Sequence, residues 1–109
     1  MRLRKEIDEM QDQDILLLAT ISEALAHPAR IKIFRFVMQC NRTRTPVCNR
    51  DIVEEFDLAQ ATISQHVKKL VNAGLLETKR VDRFTYYYVH LGTLQNYVNA
   101  TKKFENMPG

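Results

Sequence analysis

The sequence predicts a mainly α-helical domain with one small β-hairpin, in the order α-α-α-α-β-β-α. Three observations carry this. Apolar residues recur at helical spacing in four segments that end near residue 73. Gly74 then stops the fourth segment, and two stretches rich in β-branched and aromatic residues follow, 75–80 and 84–90, on either side of the turn Val81-Asp82-Arg83. Finally, three Gly and three Pro in 109 residues leave no room for an all-β design with many tight turns.

Residues 6–26 read as the first helix. Leu18, Ile21 and Leu25 form its expected inner stripe, and Leu16, Leu17 and Thr20 widen the apolar surface beyond one side. Such a helix needs two partners, the domain's own core and a second subunit. His27-Pro28 breaks the chain, with His27 bonding the backbone, because the residue before Pro avoids the helical region and Pro suits a first turn. The second helix, 29–40, is apolar nearly all round and is expected to be the central one. A polar connection, 41–47, leads to a third helix over 48–56. The fourth spans 60–72, with Ile63, Val67, Leu70 and Val71 facing inward. A last helix over 93–106 carries Leu94, Tyr97, Val98, Thr101 and Phe104 as its stripe. Residues 1–109 therefore make one domain, and no repeat or linker divides it.

The hydrophobic fraction is 45% and the charged fraction 27%, ordinary values for a globular protein. No apolar run approaches the roughly 18 residues of a membrane span, and MRLRKEIDEM lacks the apolar centre of a signal peptide. The expected location is the cytoplasm, where Cys40 and Cys48 stay reduced. Charge is unevenly spread. Residues 1–26 carry three basic and six acidic side chains, net −3, and the remainder carries net +6. An acidic end set against a basic one fits a polyanionic partner.

The fourth helix and the hairpin specify that partner. A helix that enters the DNA major groove presents small or polar side chains in its N-terminal half. Residues 60–65 are Gln, Ala, Thr, Ile, Ser and Gln, of which only Ile63 points inward. The Gln65 amide matches the edge of adenine. Gln60, Thr62, Ser64 and His66 complete the candidates for the groove, and Lys68 and Lys69 suit phosphates one turn on. Lys79, Arg80 and Arg83 form a basic hairpin tip for the backbone. Helix, Gly stop and basic hairpin in this order make a winged helix-turn-helix.

Three stretches, ALAHPARIKIFRF (24–36), DIVEEFDLAQATISQHVKKLVNAGLLETKRVDRFTYYYV (51–89) and the closing helix, resemble the ArsR/SmtB family of bacterial winged-helix repressors. The resemblance covers nearly the whole chain. It implies a homodimer joined through the helices within 1–26 and 93–106, binding a partly palindromic double-stranded DNA operator until a signal, not identified by the sequence, releases it. The chain departs from the family at Ala59, where a helix-capping Ser is common; Ala59 is therefore not counted as a DNA contact.

The resemblance also directs attention to metal sensing. A Cys-x-Cys at the start of the third helix is one family site, and here it reads Cys48-Asn49-Arg50, with a cation in place of the second thiol. The site on the last helix falls on Thr93, Gln95, Asn106 and Gly109, none a good zinc ligand. Neither a metal nor another cofactor is expected. Cys48, near a helix N-terminus and Arg50, has the setting of a reactive thiolate, and with Cys40 it offers an alternative thiol-redox or metal-responsive switch. A protein-interaction module is the other alternative. Catalysis is not expected: Ser64 and His66 are two apart on a helix and point in different directions, and no Gly-rich phosphate loop is present.

Overall fold

The computed structural model describes residues 9–108. Seven elements follow one another: α1 (Asp12–Ala24), α2 (Pro28–Arg42), α3 (Asn49–Phe56), α4 (Gln60–Asn72), β1 (Leu76–Val81), β2 (Phe84–Val89) and α5 (Leu91–Lys102), which runs into a 3₁₀ turn, Lys103–Asn106. Element order and type match the expectation. The part of the predicted first helix at 6–8 lies outside the described residues, and 9–11 are not helical. Among the described residues no helix is long and apolar enough to cross a membrane.

The core is one cluster. Ile21 and Ala24 of α1, Ile33, Phe34 and Val37 of α2, Ile52 of α3, Ile63, Val67 and Leu70 of α4, and Leu75 and Leu76 at the hairpin's root are all buried. Two expected stripes are displaced. In α1 the inner side runs through Leu17, Ile21 and Ala24 rather than through Leu18, Ile21 and Leu25 as a set, although Leu25 still packs on the core. In α5 Leu94, Tyr97 and Ala100 face the core, while Val98 and Phe104 are turned outward. Ala100 is almost fully buried, a part in packing that a hydrophobicity pattern undervalues. Helix α2 supplies three buried side chains, but Ile31 on its outer side is half exposed, so it is not wrapped all round.

Local caps set the element ends. At α2 and α5 the device is a histidine: His27 Nδ1 accepts from Ala29 N at 3.2 Å, and His90 Nδ1 accepts from Thr93 N at 3.0 Å. Helix α5 therefore begins at Leu91, two residues before the expected start. At α3 a capping box joins Cys48 and Asp51, so Cys48 precedes the helix rather than opening it. Helix α4 ends in a Schellman motif. Gly74 sits at φ +86°, Gly74 N donates to Val71 O, and Leu75 N donates to Leu70 O, both at 3.0 Å.

The start of α4 has no side-chain cap, because Ala59 stands at that position with extended backbone, φ −60° and ψ 145°. A Ser there accepts from a first-turn N–H that is otherwise left to solvent. Ala59→Ser is expected to stabilise the protein by about 1 kcal/mol. A thermal melt checks it; the expected rise is about 4–8 °C. An unchanged melting temperature would mean that solvent already satisfies that N–H equally well.

The hairpin pairs Leu76 with Val89 through to Val81 with Phe84, so its loop is the two residues Asp82 and Arg83 and Val81 belongs to the strand. Asp82 takes φ +56°, a left-handed conformation that Asp tolerates better than most residues. The outer edge of β2 is not left open. Tyr87 N donates to Val47 O at 3.0 Å, and the Asn41 side chain accepts from Val89 N at 2.8 Å while donating to Tyr87 O at 3.3 Å. The amide of one α2 residue thus stands in for a missing strand and ties the hairpin to the end of α2.

Candidate nucleic-acid interface

The inward set Ile63, Val67 and Leu70 rotates the other side of α4 outward. Gln60, Ala61, Thr62, Ser64, Gln65, Lys68, Lys69 and Asn72 are all exposed. Most of that surface is small or amide-bearing in the first two turns and cationic in the third, the order in which a groove-reading helix meets bases and then backbone.

Two of the expected groove residues have partners within the protein. Ser64 Oγ accepts from Asn49 Nδ2 of α3 at 3.2 Å. His66 is half-buried, its ring centroid 4.8 Å from that of His27 at the α1–α2 corner. Burial pushes the His66 imidazole below its ordinary value, and the nearby His27 and Arg30 add repulsion, which favours its neutral form. Arg30 is held in place at that corner by Ala24 O at 2.7 Å and Glu23 O at 3.2 Å.

The hairpin stands beside α4 as a wing. Lys79, Arg80 and Arg83 are exposed, but strand alternation sends Lys79 and Arg80 to opposite faces. Arg80 Nε is braced by Asp82 O at 3.3 Å. Lys79 shares its face with Phe84 and Tyr86, whose rings lie 6.3 Å apart. Arg50 is the residue that the sequence reading passed over. It sits in the first turn of α3, next to the Asn49 that touches α4, and its guanidinium lies over the Phe84 ring of the wing. Its signal in the sequence was only a cation near Cys48. The ring it packs on comes 34 residues later and is adjacent only through the fold.

Cys48 stands at the N-terminal end of α3, as expected, but not as an exposed thiolate beside Arg50. Cys48 is buried, and its sulfur donates to Asp51 Oδ2 at 3.3 Å, while Arg50 is engaged with Phe84 rather than with the thiol. Burial pushes the Cys40 thiol up, and the carboxylates of Asp51 and Glu55 push it further, which disfavours the reactive thiolate. Both cysteines are free. Among the described residues no three His, Cys, Asp or Glu side chains are grouped so as to hold a metal ion. Of the family's last-helix positions, Gly109 lies outside the described residues.

A helix-turn-helix with an exposed polar α4 and a basic wing at its side defines a winged-helix transcription regulator of the DNA-binding class. Residues 27–78 match the family model described as bacterial regulatory protein, arsR family. The chain is similar to the arsenical resistance operon repressor of Staphylococcus xylosus, 33% identical over 63 residues that cover 58% of this chain and 56% of that protein. It is also similar to the transcriptional repressor SdpR of Bacillus subtilis (strain 168), 28% identical over 86 residues, 79% of this chain and 90% of that one. Among solved structures, an ArsR-like transcriptional regulator from Rhodococcus sp. RHA1 shares the fold with a TM-score of 0.74 at 18% identity, over 86% of this chain and 84% of that one. In sequence and in fold the chain is thus similar to the ArsR family of winged-helix transcriptional repressors.

Proposed function

We propose that the protein is a homodimeric repressor that binds a partly palindromic operator. In this reading α4 enters the major groove, with Gln60, Thr62, Ser64 and Gln65 nearest the bases and His66 at the margin. Lys68, Lys69, Lys79, Arg80 and Arg83 hold the backbone. The observation that carries it is the exposed polar face of α4 standing next to an exposed basic wing, both fixed to one core.

Pairing through α1 and α5 is supported by what the protomer leaves uncovered. Ile15 and Leu16 on α1 are 54% and 68% exposed, and Phe104 after α5 is 56% exposed. The two helices are locked together before any partner arrives. Lys103 Nζ meets Asp14 Oδ2 at 2.8 Å, and Ser22 Oγ lies 3.1 Å from Tyr97 Oη. A rigid helix pair with an apolar outer side is what a stable dimer interface needs. The replacements at the two family metal positions, and the raised Cys40 thiol, favour a repressor whose release does not use those metal sites or a thiolate at Cys40.

Selection of bound duplexes from random DNA tests the proposal. The expected result is a motif with two related half-sites about one helical turn apart, retained less strongly as salt rises. A pool with no enriched motif and no salt-sensitive retention on DNA would instead favour a winged helix that binds protein.

A further inference from the structure

Arg50 Cζ lies 5.7 Å and Arg83 Cζ 5.8 Å from the centroid of the same Phe84 ring. One guanidinium comes from the first turn of α3 and the other from the two-residue loop of the wing. The ring attracts each of them, so one aromatic side chain organises two like charges, one from each element. Among the described residues neither arginine has a carboxylate within ion-pair range. Both guanidiniums therefore lack a counter-charge among the described residues, and an anion bound between them would supply one.

The location says which anion. Asn49, the neighbour of Arg50, donates to Ser64 on the outward side of α4, so α3's first turn, the α4 surface and the wing meet at this point. Planar guanidinium forks match phosphate oxygens in a way that a point-charge ammonium does not. We infer that Arg50 and Arg83, organised by Phe84, form a single phosphate-binding site shared by α3 and the wing, which holds one phosphodiester of the bound duplex. The inference rests on the DNA-binding reading above and adds a contact that reading does not contain. It also gives the wing a way to be set by the helix-turn-helix: a phosphate gripped from both sides fixes the angle between them.

The test uses the full chain, a selected operator duplex and a series of duplexes in which one phosphate at a time is replaced by an uncharged methylphosphonate. Arg50→Gln and Arg83→Gln, each removing one contact in both half-sites, are each expected to weaken binding about 10²-fold and to lower the slope of log affinity against log salt by about two. At one phosphate per half-site, and the same one for both variants, the methylphosphonate should erase the difference from the unsubstituted protein. Circular dichroism checks that each variant is folded; both side chains are exposed, so neither substitution opens the core. Unchanged affinity and slope for Arg50→Gln would overturn the shared site while leaving DNA binding intact. Erasure at two different phosphates would overturn it as well, leaving two separate contacts. If the unsubstituted protein shows no salt-sensitive binding to any duplex, both the site and the DNA-binding reading fall.

Discussion

Leu16→Glu is expected to produce a folded monomer whose operator affinity falls by about 10²–10⁴-fold. Leu16 is 68% exposed in the protomer, so a carboxylate there removes no intramolecular packing. Exposed substitutions of this kind shift stability by only about 0.5 kcal/mol. Across a twofold interface the same charge would be duplicated and desolvated. The operator consequence is geometric. A dimer presents two recognition helices at a spacing of roughly 34–36 Å, so once one half-site is engaged the second binds as an intramolecular event. Loss of pairing removes that advantage without touching any DNA contact. Light scattering after size exclusion gives the mass, and a binding titration gives the affinity. A Leu16→Glu protein that remains dimeric would show that α1 does not form the interface.

Where the sequence was legible, one residue type at one spacing had one explanation. Ile63, Val67 and Leu70, followed by Gly74, admit a single helix and a single inward side, and α4 has the expected bounds. The first helix was harder. Ile15, Leu16, Leu17, Leu18 and Ile21 leave no unique stripe, and only packing against the folded core selects Leu17 and Ala24. The expected backbone bond of His27 is present, whereas the cap at His90 escapes a pattern in which Ser, Thr, Asp and Asn are the usual capping residues. An imidazole Nδ1 accepts equally well, and His27 was read as bonding the backbone while His90 was read only as a strand end. The setting of Cys48 depended on Asp51, three residues on, rather than on Arg50. Arg50 itself could not be placed from its own segment, because its partner ring belongs to the wing.

Among the groove candidates the structure separates Gln65 from its neighbours, and the largest loss of specificity is expected there. Ser64 already accepts from Asn49, and His66 packs on His27. Gln65 is exposed, and among the described residues its amide has no partner within the protein. Its two polar atoms can donate to and accept from one adenine at once, a pairing that contributes about 1–3 kcal/mol of discrimination. Because a dimer offers Gln65 twice, Gln65→Ala should reduce the ratio of operator to random-duplex affinity on the order of 10²-fold. Binding to random duplex should stay nearly unchanged, and so should the salt slope, since no phosphate contact is lost. Paired titrations on the selected operator and on a scrambled duplex of the same length measure both. Equal losses on the two duplexes would place Gln65 on the backbone, and the reading of α4 as base-contacting through this residue would be wrong.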